Sequence, residues 1–486
     1  MNHQSPTHRP APFLDPHFTQ HGMKNIASCL NWVLIVGPFL FYGWVAYSKL
    51  IPVEYPDAFA YLWRQPFNWS YLTGRSLTQR LLFSLVLNEP QMIVLLQLLI
   101  YLLSAVIIYL LFAQKNSILY NLLLSVAVMF LFSSYTLNVS AVIINAEPIF
   151  VALTILFPFV LFLFKGRYQI FLVLTLGILF IFSKNVAPYT TILLVIWRFI
   201  TMRGRIERQT LVGYLGLVIV SLASITLTHA YDTSLQINTV NNMYRRVFPD
   251  PAITTYFQTH YGMPVGSFVT QCQGAWIGEP CFGHSLITIN PRSRNYELVA
   301  DSFGFVTWVQ QDGQQAYLRF LLWDSSMDTY REFRRVVREV MQSDAVIFIN
   351  SYLGANLPNN TPNNLKALAL LHPSGAIGFL GVDPFLLIRN MLLIFKFEYV
   401  EVLWLYIAIG LGVTRRCKYV SYLPLATSML VVGLALFFLS FFGDSMEVIR
   451  HIFPALIILE LGGFLYVVSF VAIGVYYVRQ QWQVVG

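Results

Sequence analysis

The chain has 486 residues, 56% of them hydrophobic, 16% aromatic and only 11% charged, with 31 Lys and Arg against 23 Asp and Glu for a net charge of +8. A soluble globular domain carries roughly 25% charged residues, so a water-soluble enzyme of this size is excluded, and disorder is excluded by the abundance of apolar side chains. What remains is a polytopic membrane protein, whose small basic excess suits loops retained on the cytoplasmic side and not nucleic-acid binding.

Residues 1–27 are polar, with Pro and His, and read as a cytoplasmic N-terminal tail. The apolar run that follows has no small-residue cleavage site after it, so 28–48 is expected to be a retained first transmembrane helix. Residues 49–90 form a loop that begins "IPVEYPDAFAYLW" and continues "YLTGRSLTQRLL". Pro56 suits the first position of a helix, and from there Asp57, Tyr61 and Arg64 share one face at i, i+4 and i+7. Ser76 and Gln79 have the spacing of a capping box for a second short helix. Arg80 falls in its first turn, where the dipole favours an acid, so a nearby anion would offset it. The loop therefore reads as two interfacial helices. One alternative is simple snorkelling of Arg64, Arg75 and Arg80. The other is a site in which Asp57 and these arginines meet an anionic head group.

Residues 91–229 contain six further apolar runs, Met92–Phe112, Ile118–Tyr135, Ile149–Phe164, Ile170–Phe182, Tyr189–Ile200 and Leu211–Leu227, read as transmembrane helices 2–7. "SKNVAPY" between the fourth and fifth is a break, because Pro188 disfavours continuation. Splitting there places "AQKNS", "FKGRYQ", "WRFITMRGRIERQT" and "TRRCKY" on one side and the acid-bearing loops on the other, as the positive-inside rule requires. Both termini are then cytoplasmic. Residues 230–383 follow as a domain-sized, mainly helical extracytoplasmic segment. Its Cys272 and Cys281 could bridge in an oxidising compartment, or be two unrelated thiols. Its basic amphipathic stretch "YREFRRVVREVMQ" reads as a solvated helix or one resting on the membrane. Residues 384–398 carry Arg389, Lys396 and Glu398 and read as interfacial, and 399–478 supply transmembrane helices 8–10 before the cytoplasmic tail 479–486.

Three further loops carry charge. Glu147 in "NAEP" either caps the next helix or acts in a site. Lys184 lies between two apolar helices, where an ionisable group is by default a functional candidate; a phosphate or Glu147 is its natural partner, and snorkelling the bland account. In "GDSMEVIRH", Glu447 can pair with Arg450 at i, i+3 and with His451 at i, i+4. The sequence contains no P-loop, G-x-G-x-x-G, H-E-x-x-H, G-x-S-x-G or C-x-x-C pattern, and its His residues lack metal spacing.

In the order of these parts the chain resembles the GT-C fold membrane glycosyltransferases that use polyprenyl-phosphate-linked sugars. The resemblance rests on "YPDAFAYLW" after the first span, "YLTGRSLTQRLL" behind it, "NAEP" before the fourth span and "GDSMEVIRH" before the last. It covers the organisation of about the first 230 residues and the last 40. A D-x-D pair in the first loop and a W-W-D-Y-G motif are missing, which speaks against the metal-dependent, asparagine-modifying branch. The resemblance implies an all-α, GT-C-like polytopic protein of about ten transmembrane helices. It also implies an inverting transferase at the outer face of a bacterial cytoplasmic membrane. Asp57 would be the catalytic base. Arg75, Arg80, Lys184, Arg450 and His451 would bind the donor phosphate, and Glu54, Tyr61, Glu147 and Glu447 would hold sugar hydroxyls or those cations. No cofactor or metal is expected, the lipid-phosphate-linked sugar being the co-substrate and a glycan or lipid the acceptor. A transporter or flippase of lipid-linked glycans, and a glycan polymerase or ligase, are the alternatives.

Overall fold

The computed structural model describes residues 27–41, 44, 53–54, 77–113, 118–132, 143–144, 147–163, 168–201, 208–231, 233–289, 296–342, 384–416, 422–443 and 448–485. In chain order the first part comprises α1 (Ala27–Phe41), β1 (Val53–Glu54), α2 (Leu77–Leu85), α3 (Pro90–Phe112), α4 (Ile118–Phe132), β2 (Ile143–Ile144), α5 (Glu147–Leu163), α6 (Gln169–Ile181), α7 (Ala187–Thr201) and α8 (Arg208–Tyr231). A polar region follows with α9 (Ser234–Asn242), α10 (Pro251–Tyr261), α11 (Ser267–Gln271), the hairpin β3 (Ile287–Ile289) and β4 (Tyr296–Leu298), α12 (Phe305–Trp308), α13 (Gln314–Arg319) and α14 (Ser326–Gln342). The chain ends with α15 (Pro384–Ile394), α16 (Val400–Arg416), α17 (Leu423–Gly443) and α18 (Val448–Val485).

Among the described residues this is an all-α protein, with strand confined to two two-stranded ladders. Four helices are long and apolar enough to cross a membrane, within 90–112, 208–228, 423–443 and 451–474. The other apolar helices have 10–17 residues. At 1.5 Å per residue, 13-residue α6 extends about 20 Å, short of a hydrocarbon core of roughly 30 Å.

The bundle is arranged around α5. From Glu147 to Phe162 every residue of this helix is buried, as expected of a helix that is apolar all round. It packs against α3, α6, α17 and α18. The close approach of α17 and α18 depends on small residues. A Cβ on Gly462 would stand 2.8 Å from the Met429 Cβ and 3.1 Å from the Leu430 backbone nitrogen. One on Gly433 would stand 2.5 Å from the Leu459 Cγ. The chain does break between α6 and α7. There the Ser183 hydroxyl donates to the Phe180 carbonyl at 2.6 Å, and the Ala187 N–H donates to the Lys184 carbonyl at 2.9 Å.

The polar region has its own aromatic core. Tyr244, Phe248, Phe268, Phe282 and Phe305 make ring contacts with centroids 4.7–6.5 Å apart. Asp250 caps α10 by accepting from the Ala252 and Ile253 N–H groups. Cys272 and Cys281 form a disulfide with Cα atoms 5.2 Å apart. The basic helix α14 is half-buried. Phe333, Val336, Val337 and Val340 face inward, with Phe333 packed on Phe437 and Phe438 of α17.

Arg389, expected on a charged interfacial segment, is instead sealed in the bundle. Its Nε donates to Glu460 Oε1 of α18 at 2.6 Å, and the two side chains are only 2% and 1% exposed. Three residues further along each chain, Leu392 packs against Gly463, so α15 and α18 run parallel here. Beyond α15 the backbone turns through Lys396 in the left-handed region, at φ 60°, before α16 begins.

Candidate functional site

Four separate parts of the chain meet at the end of the bundle where α5 begins. Glu147 is the first residue of α5, where an acid complements the helix dipole. Its Oε1 accepts from Lys184 Nζ at 3.0 Å, with the side chains 14% and 8% exposed. His451, near the start of α18, places Nδ1 3.9 Å from the same oxygen, within ion-pairing range when the imidazole is protonated. The Lys184 ammonium also lies 5.4 Å from the Phe150 ring centroid, and Phe150 stacks on Phe180. One carboxylate oxygen thus gathers an ammonium and an imidazole from elements 37 and over 300 residues away. With that oxygen occupied, Glu147 is suited to holding cations in place.

The first loop is brought to the same end in two ways. The helix α2 is docked by Thr78, whose N–H donates to the Phe182 carbonyl at 3.2 Å and whose hydroxyl donates to the Leu179 carbonyl at 2.7 Å. The bond to Phe182 falls two residues before Lys184. Arg80, two residues after Thr78, is 2% exposed. In addition, β1 pairs in parallel with β2, with Val53 opposite Ile143 and Glu54 opposite Ile144. Three residues beyond each strand come Asp57 and Glu147.

The polar region is fastened to this end as well. The Asn185 amide donates to the Ser234 hydroxyl at 3.0 Å, next to Lys184. Asn242 donates to the Phe442 and Gly443 carbonyls at 3.2 and 3.3 Å, and Arg246 donates to the Phe441 carbonyl at 2.9 Å. These bonds satisfy carbonyls at the C-terminal end of α17, which its own helix leaves open. Arg246 also pairs with Glu332 at 3.3 Å. Beside them Tyr317 is held neutral, because burial raises its pKa above the ordinary phenol value.

The expected site residues therefore divide. Glu147, Lys184 and His451 are in contact, and Arg80 is on a helix docked beside Lys184. Glu54 and Arg450 are described in backbone only. Asp57, Tyr61, Arg75 and Glu447 lie outside the described residues. Thr78, Asn242 and Arg246 position this site and carried no sequence signal, since their bonds go to backbone carbonyls of distant elements. Among the described residues, no three His, Cys, Asp or Glu side chains are grouped to hold a metal ion. No protein-family model, curated protein or solved structure matches this chain.

Proposed function

We propose that this protein is an inverting glycosyltransferase of the GT-C type. It moves a sugar from a polyprenyl-phosphate donor to a glycan, lipid or cell-surface acceptor. The carrying observation is the convergence of Lys184, Glu147 and His451 at one end of the bundle, with the Arg80 helix docked beside Lys184. Cations from distant parts of the chain, gathered around one carboxylate at a helix end, suit an anionic lipid head group. The Cys272–Cys281 bridge lies in the region fastened to that end. Disulfides persist in oxidising compartments, which supports an outward orientation for this end, with about ten spans and both termini cytoplasmic in a bacterial inner membrane.

In this reaction an acceptor hydroxyl oxygen attacks the anomeric carbon as the bond to the phosphate oxygen breaks. Asp57 takes the hydroxyl proton as general base. The leaving polyprenyl phosphate departs as an anion and needs no proton from a second carboxyl group, unlike the leaving group of a glycosidase. Lys184 and Arg80 stabilise the charge that develops on it. Glu147 keeps the ammonium in position, and β1–β2 pairing carries the start of the Asp57 loop towards it.

The test is transfer from a radiolabelled polyprenyl-phosphate sugar by the purified protein. Wild type is expected to transfer, and Asp57→Asn to lose activity about 10²–10⁴-fold, the usual contribution of a general base. Full activity in Asp57→Asn would remove the mechanism. A carrier of the same lipid-linked sugars is the second reading. The sealed Arg389–Glu460 pair and the interruption between α15 and α16 favour it, because carriers place ionisable groups and broken helices deep in the membrane. Translocation of labelled lipid across vesicles without bond cleavage would select that reading.

A further inference from the structure

We propose that the disulfide-closed loop 272–281 is a sugar-binding platform on which Trp276 stacks against a pyranose ring of the acceptor. This rests on the reading of the acceptor as a glycan. Trp276 is 39% exposed, yet its position is fixed. A Cβ on Gly278 would stand 2.0, 2.3 and 2.4 Å from its Cη2, Cζ2 and Cζ3 atoms. Nearly equal distances to three adjacent ring atoms put that point above the ring plane, not off its edge. Gly278 therefore lies against one face of the indole, while the residue keeps 39% of its surface exposed.

The loop under the ring is held from every side. The disulfide closes it. The Ile277 N–H donates to the buried Asn241 side chain at 2.9 Å, and the Gly274 N–H donates to the Tyr244 carbonyl at 2.8 Å. The Leu286 N–H donates to the Ile277 carbonyl. A rigid, exposed aromatic face loses little entropy on binding, which is how preorganised sites gain affinity.

The surroundings select a sugar over other occupants. The Trp276 backbone N–H donates to Glu279 Oε1 at 3.3 Å, which places an exposed carboxylate at the base of the Trp276 side chain. Arg245 Nε reaches the Ala275 carbonyl at 3.5 Å, adding an exposed guanidinium on the preceding residue. An exposed aromatic ring with an acceptor and a donor on the backbone at its base matches a pyranose, which has one C–H face and a rim of hydroxyls. A bilayer surface would disfavour the exposed acid. The platform is also tied, through neighbouring residues, to the end of the bundle that holds the proposed transfer site. Asn241 holds the loop, and its neighbour Asn242 holds the end of α17, from which the chain leads to His451.

The test is tryptophan-fluorescence titration of the full-length protein in nanodiscs with three neutral trisaccharides, maltotriose, mannotriose and chitotriose. At least one is expected to bind wild type with a dissociation constant of about 1 mM or tighter. Trp276→Ala should weaken it about tenfold, as loss of one aromatic contact implies. Trp276→Phe should keep most of the affinity, and Gly278→Val should lower it by displacing the ring. An equal affinity in Trp276→Ala, or no binding of any of the three to wild type, overturns the proposal. So does quenching by brominated lipids that disappears in Trp276→Ala, because it puts the indole in the bilayer. Binding is read without donor lipid, so an inactive transferase leaves this result intact. Active transfer without trisaccharide binding refutes the platform alone.

Discussion

Two carboxylate–cation pairs on α18 and its neighbours have similar geometry and opposite settings. Arg389 and Glu460 are 2% and 1% exposed and close the seam between α15 and α18. Lys184 and Glu147 are 14% and 8% exposed and have a third ionisable group, His451, 3.9 Å away. In a dry interior an ion pair costs desolvation and fixes arrangement more than it adds stability. The first pair therefore acts as a clamp. The second keeps access at the end of the bundle, with charge that a ligand can share.

This contrast predicts a graded series. Glu460→Ala strands a guanidinium in the bundle and should cost about 3–5 kcal/mol, whereas Arg389→Met with Glu460→Leu should recover most of it. Thermal unfolding in detergent measures both. Equal melting of Glu460→Ala and wild type would mean that the pair has access to water. Cys272→Ser should destabilise the polar region by roughly 2–3 kcal/mol, the scale for closing a short loop, read as protease sensitivity of residues 233–342. Gly462→Ala should cost about 1–3 kcal/mol, because the added carbon meets the Met429 Cβ and Leu430 backbone and not a flexible side-chain end. Lys184→Met should cost only about 1–2 kcal/mol, since the Glu147 left behind keeps His451 and some water.

The membrane class, the break before Lys184 and the candidacy of Glu147 were legible, because charge inside apolar sequence is rare and demands an account. Glu460 was missed. It sits within "LIILELGG", which reads as continuous span, and its partner Arg389 is 71 residues away. The two lone charges were each other's signal, and reading Arg389 as interfacial hid it. The β1–β2 ladder was illegible for a different reason. Two residues are too few to show an alternation, and parallel pairing joins segments ninety residues apart. The docking of Thr78 on α6 likewise involves a hydroxyl and a backbone carbonyl, neither of which leaves a pattern.

The most direct measurement is equilibrium binding of radiolabelled polyprenyl phosphate to wild type, Lys184→Met and the double variant Lys184→Met with Glu147→Gln. Removing a charge-assisted contact to phosphate should weaken binding about tenfold or more in both variants, while the double variant melts close to wild type. Unchanged affinity in the double variant would contradict the assignment of this end of the bundle to a lipid phosphate.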